Sequence, residues 1–140
     1  MKKFEYFDVT ADIGFKSYGN SLNEAFENAG LAIFNIISDT DDIASDISKT
    51  FEITSEDRVS LLYDYLEELL FYHEVDFMLF SDFDVEIDEV TQGYHLKATI
   101  KGEPIDWDKH ERKTEIKAIT FHKMDVKKTS HYELQAIVDL

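Results

Sequence analysis

With 140 residues, 44% of them hydrophobic and 31% charged, the chain is long enough to bury roughly two-thirds of its extended-chain surface in one core, and short for a second. A fold of that size needs neither a disulfide nor a structural metal, and the absence of cysteine excludes thiol nucleophiles, zinc–thiolate sites and iron–sulfur clusters. The 30 acidic against 14 basic residues leave a formal charge of −16, which disfavours unassisted binding to a phosphate backbone and suits divalent cations or a partner with a basic cleft.

The opening Met1-Lys2-Lys3-Phe4-Glu5-Tyr6 carries charge within its first apolar stretch, unlike a signal peptide, and no run approaches the ~18 apolar residues of a membrane span. A soluble cytoplasmic protein is expected. Phe4 to Val9 reads as a strand with Phe4, Tyr6 and Asp8 on one face. If the extension continues, Thr10 and Asp12 share that face. Phe15 to Tyr18 reads as a second short strand closed by Gly19-Asn20. Ser21-Leu22-Asn23-Glu24 is an S-x-x-E capping box, and Leu22, Ala25, Phe26, Ala29, Ile33, Ile36 and Ile37 follow at helical spacing.

After the polar stretch Ser38 to Ser48, Lys49 to Thr54 alternates as a strand and leads into Thr54-Ser55-Glu56-Asp57, a second helix start. Val59, Leu62, Tyr63, Leu66, Leu69, Leu70 and His73 mark one face of that helix, with Glu56, Asp57, Asp64, Glu67 and Glu68 early or opposite. From Phe77 the period becomes two, predicting strands near Phe77–Asp88, Tyr94–Lys101, Glu115–Val126 and Tyr132–Asp139. Successive hairpins and no regular β-α alternation predict one α+β domain over residues 1–140, with two amphipathic helices packed on a largely antiparallel sheet.

The five glycines form no phosphate-binding loop, the five histidines show no paired zinc spacing, and no nucleophile elbow occurs. A hydrolase or zinc enzyme has little support. Asp39-Thr40-Asp41-Asp42-Ile43-Ala44 fails as an EF-hand, because Ile43 and Ala44 stand where a ligand and a glycine belong. Asp8 and Asp12 flank Val9-Thr10-Ala11 at the end of the first strand. In the last strand Gln135, Ile137 and Asp139 share the face opposite Tyr132, Leu134, Ala136, Val138 and Leu140. Asp139, with the carbonyl oxygen and terminal carboxylate of Leu140, offers the hard oxygen ligands that Ca²⁺ or Mg²⁺ prefers. Spacing alone leaves Asp12 a turn residue and Asp139 a solvated chain-end residue, and it leaves Lys117, on an apolar strand, either paired with an anion or snorkelling at a sheet edge.

Tyr6-Phe7-Asp8-Val9-Thr10-Ala11-Asp12 resembles the opening signature of the archease family, often D-H-T-A-D, with Val9 in place of the usual His. The resemblance continues, in order, through Ser21 to Ala29, Leu61 to Leu70, Glu115 to His122 and Ile137-Val138-Asp139-Leu140. It implies an accessory protein rather than an enzyme, one that assists the RtcB-type RNA ligase of tRNA splicing by promoting its guanylylated histidine intermediate and repeated turnover. It also implies a bound divalent cation, commonly calcium, with Mg²⁺ or Mn²⁺ as alternatives. By matching position the ligands are Asp12, Asp139 and the carbonyl oxygen of Leu140. Lys117 matches a lysine linked to activation, and Asp8 is expected nearby as a supporting carboxylate. A chaperone or modulator of RNA- or DNA-processing proteins is the alternative reading.

Overall fold

The computed structural model describes residues 1–140, whose chain order is β1 (Phe4–Val9), β2 (Asp12–Gly19), α1 (Leu22–Ile37), β3 (Ile47–Ser55), α2 (Arg58–Asp76), β4 (Met78–Val90), β5 (Gly93–Pro104), β6 (Ala118–Lys128) and β7 (Tyr132–Asp139). The fold is α+β, and its strands form two antiparallel sheets where the sequence predicts one: β1-β2-β7-β6 and β3-β5-β4. Both helices lie between the sheets. α1 packs on β2 and on β4, whereas α2 packs on β6 and β3.

The local chemistry explains the element ends. The Ser21 hydroxyl accepts the Glu24 N–H at 3.1 Å, and the Glu24 carboxylate reaches back to the Asn20 N–H at 3.0 Å, a capping box displaced by one residue from the reciprocal form. Asp57 caps α2 by accepting the Ser60 N–H at 2.7 Å. Between α1 and β3 the polar stretch forms a 3₁₀ turn at Thr40–Asp42, capped by Asp39, and its last residues, Ile47 and Ser48, already belong to β3.

The core contains Phe15, Phe26, Phe34, Leu61, Tyr65, Leu66, Phe80 and Leu96, all fully buried. Phe26 meets Tyr65 with ring centroids 5.4 Å apart, and Phe34 meets His73 at 5.9 Å. These contacts advance together along both chains, so α1 and α2 run parallel and end at the same side. α1 shows the predicted apolar stripe. α2 likewise buries one stripe, Leu61, Leu62, Tyr65, Leu66, Leu69 and Leu70, while Phe71 and Val75 are exposed on its outer side.

Strand β4 is an edge of its sheet. Two of its backbone donors are covered by α1: Glu27 accepts the Val85 N–H at 2.9 Å and Asn23 accepts the Ile87 N–H at 3.0 Å. In β6 the pairing with β7 slips between Thr120 and Asp125. Lys123 within that bulge takes φ 54°, and Phe121 lies stacked on Tyr63 with centroids 3.9 Å apart.

Candidate cation and partner site

A two-residue turn, Thr10-Ala11, joins β1 to β2, with Ala11 in the left-handed region at φ 64°. The strand therefore does not continue from Asp8 to Asp12. Val9 pairs with Asp12, and Asp12 pairs with Asp139, which pairs with Ala118. These four residues form one row across the sheet, on the face turned from the helices. Asp8 pairs with Ile13 in the next row. Because neighbouring residues of a strand alternate faces, Asp8 points to the opposite side; the condition for its sharing a face with Asp12, an extension beyond Val9, is not met.

Directly opposed residues of an antiparallel pair hold their Cβ atoms about 5 Å apart. Two carboxylates there repel unless a cation or a basic group lies between them. The next row on the same face contains Phe7, Gly14, Ile137 and Thr120. The Phe7 ring lies directly over Gly14, where any Cβ would collide with it. That ring and the buried Ile137 back the aspartate row with apolar surface.

Leu140 packs its side chain against the core, which fixes its backbone beside Asp139. The donor set of two carboxylates and a carbonyl is the hard-oxygen chemistry that suits Ca²⁺ or Mg²⁺. No group of three or more Asp, Glu, His or Cys side chains gathers anywhere as a cation cluster. A cation at this row would thus depend on the carbonyl and on water for its remaining ligands.

Lys117 lies one residue before β6, not on a strand as predicted, and its N–H donates to the Asp139 carbonyl at 2.8 Å. The segment leading to it lacks regular structure yet is tied along its length. The Ile105 N–H donates to the Phe77 carbonyl at 2.8 Å, the Lys113 N–H to Ile37 at 3.0 Å and the Thr114 N–H to Ile36 at 3.2 Å. The last two satisfy orphan carbonyls at the C-terminal end of α1. Ile116 is buried in the core, leaving Lys117 exposed beside the aspartates. Both helix ends, each carrying about half a negative charge, lie at this pole.

Sequence reasoning missed the clasp that shapes this segment. The side chain of His110 is fully buried, its Nδ1 accepting the Asp106 N–H at 3.0 Å and its Nε2 donating to Glu103 at 2.9 Å. Glu103 also accepts from the Ala44 N–H at 2.6 Å and from Lys109 at 2.7 Å. Burial opposes ionisation of Glu103, but these donors outweigh it and hold its carboxyl down at about 2. A lowered folded pKa stabilises above the unfolded value, ~4.3, and that contribution fades as pH falls from there toward 2. Glu103→Gln is expected to cost about 2 kcal/mol at pH 7, with the gap to the unsubstituted chain narrowing below pH ~4. Urea titrations at pH 7 and pH 3 measure it; an equal gap at both would refute the ionised clasp.

The largest hollow, lined by Glu56, Asp57, Arg58, Val59, Ser60, Tyr94 and Phe121, lies elsewhere, at the start of α2. A smaller groove of about 300 Å³ lies between the helix C-termini and the tied segment, lined by Ile37, His73, Glu74, Phe77, Ile105, Trp107, Arg112, Thr114 and Glu115. Trp107, the chain's one tryptophan and flanked by Asp106 and Asp108, was the sequence signal for it.

Two antiparallel sheets enclosing two parallel helices, with opposed carboxylates on a strand-end row, define an acidic α+β domain that presents oxygen ligands. The chain belongs to the archease family: residues 4–140 match the model of the Archease protein family. The chain is 56% identical over 126 residues to protein archease of Methanothermobacter thermautotrophicus, covering 90% of this chain and 89% of that one. Against protein archease of Sulfurisphaera tokodaii it is 43% identical over the whole of both chains. Its fold matches the solution structure of Methanobacterium thermoautotrophicum protein 1598 with a TM-score of 0.90, at 52% identity and full coverage of both. Val9, where the family resemblance leads one to expect His, stands directly opposite Asp12, so this chain sets an apolar side chain beside the aspartate pair.

No helix is long and apolar enough to cross a membrane.

Proposed function

We propose that this chain is an accessory protein of an RtcB-type RNA ligase in tRNA splicing and not itself a catalyst, acting through the pole that carries Asp12, Asp139, Leu140 and Lys117. The observation that carries the reading is the pairing of Asp12 with Asp139 across β2 and β7. Two like charges opposed on a rigid sheet cost stability, and a cation or basic partner relieves that cost. Asp12, Asp139 and the Leu140 carbonyl would hold a divalent cation, most simply Ca²⁺, which when bound neutralises the pair and offers positive charge to a phosphate. The sheet fixes both carboxylates, Leu140 anchors the carbonyl, and Lys117 stands exposed to meet an anionic group. Together they would align charge at the ligase's guanylylation step, where phosphoryl transfer depends on positioning.

A multiple-turnover ligation assay tests this. Asp12→Ala and Asp139→Ala are each expected to lower stimulated turnover by at least tenfold, about 1.4 kcal/mol, and Lys117→Ala to weaken it less. Full stimulation by both aspartate variants would overturn the reading. A second reading, a general protein-binding chaperone, is favoured by the exposed Phe71, Val75 and Phe77. Protection of unrelated clients from heat aggregation, unchanged by Asp12→Ala, would select it.

A further inference from the structure

Phe77 ends α2 in the left-handed conformation, φ 55°, a place where glycine is usual because a Cβ costs about 1 kcal/mol there. The fold gains little in return: the ring is 69% exposed and lies outside the core cluster. Phe71 and Val75, one helical turn apart on the outer side of α2, are 50% and 54% exposed, and Trp107 is 37% exposed. Phe77 and Trp107 line the groove with Ile37 and Ile105, and the Arg112 guanidinium stands 5.1 Å from the Trp107 ring centre. Aromatic side chains gathered and left uncovered in this way are characteristic of interface anchors.

The groove's own chemistry and its place in the chain indicate the occupant. Glu74 and Glu115 line it against the single Arg112, and in the neighbouring sequence the exposed Asp76, Asp106, Asp108 and Glu111 outnumber the exposed Lys109 and Lys113. On a chain of charge −16, that rim selects against a second copy and for a basic face. Glu115 stands two residues before Lys117, about 7 Å along an extended chain, and Lys117 is bonded to Asp139. A standard interface covers about 800 Å² on each partner, a disc of roughly 16 Å radius. A partner seated on the aspartate pair therefore reaches the groove.

We propose that this groove is the affinity anchor of the complex, accepting an aromatic or long aliphatic side chain flanked by lysine or arginine on the basic face of the ligase. The inference rests on the ligase reading above. It divides the labour: the groove holds the partner, and the aspartate pole acts on it.

Phe77→Gly tests the division without risk to the fold, because it removes the ring and suits the left-handed backbone. The full chain and the purified ligase are titrated in the ligation assay and by calorimetry. Phe77→Gly is expected to keep or raise the melting temperature, weaken binding at least tenfold and reach full turnover at saturating concentration. Trp107→Ala follows in the same direction. Asp12→Ala remains deficient at saturation. Binding by Phe77→Gly within twofold of the unsubstituted chain would overturn the anchor alone. Self-association of the unsubstituted chain at micromolar concentration, abolished by Phe77→Gly, would assign the groove to a second copy and overturn it too. Failure of the unsubstituted chain to bind the ligase would overturn the ligase reading and this anchor together.

Discussion

Phe34→Ala is expected to lower the unfolding free energy by about 4 kcal/mol. Phe34 is fully buried in the last turns of α1. Its ring meets His73 of α2 at 5.9 Å, Phe80 at 5.5 Å and Phe83 at 5.9 Å. Truncation removes the transfer energy of an aromatic ring and leaves a cavity among three other rings. Collapse cannot fill it readily, because Gly30 is already pressed against the Phe83 ring. The loss is read from urea denaturation as a lower midpoint at unchanged slope; a cost below about 1 kcal/mol would show that the helices close over the gap. The same ring joins the two helix C-termini, so the variant should also loosen the groove.

Calcium is expected to stabilise the unsubstituted chain by about 2.7 kcal/mol at a hundredfold excess over its dissociation constant. The proposed basis is the aspartate row: in the absence of cation the opposed carboxylates repel, and a bound ion reverses the sign of that interaction. Asp139→Asn preserves the shape of the side chain and removes one charge. Without cation it should be more stable than the parent by a few tenths of a kcal/mol to about 1. With cation it should gain little. Thermal unfolding with and without added calcium separates the two effects, and an equal calcium shift in parent and variant would move the ion away from this row.

How far the sequence reveals this molecule depends on the range of the interactions involved. The helices follow from local signals: Ser21 and Asp57 cap them, and the α1 stripe lies against the core as its spacing predicts. The faces of β7 are likewise legible, since alternation is a property of the strand itself. The turn between Asp8 and Asp12 is not. The strand's end at Val9 is legible, but Ala11 takes a left-handed φ without the glycine or asparagine that usually announces one, so the reversal that sends Asp8 and Asp12 to opposite faces is not. The period-two pattern over Glu115–Val126 places Lys117 on a strand, but it stands one residue before β6, fixed by a bond to Asp139 from outside the ladder.

Two sheets in place of one reflect pairings of distant segments, above all β2 with β7, which no local periodicity encodes. That pairing also brings Asp12 to Asp139. The family resemblance supplied their association, while spacing left them apart. The segment after β5 was opaque for a related reason, since its geometry comes from donors to α1 carbonyls and from a buried histidine.

The covering of β4 by α1 bears on how this protein survives at high concentration. A strand of 13 residues at a sheet margin is a template on which another chain can polymerise. Glu27 and Asn23 occupy two of its amides from within the same molecule, so an incoming strand must first dislodge a helix that is buried along its length. The outward side chains Asp82, Asp84, Glu86 and Asp88 repel their own copies. Fibre growth from this margin is thus blocked by occupied amides and by charge, even though the same molecule leaves Phe71, Val75 and Phe77 uncovered at its pole.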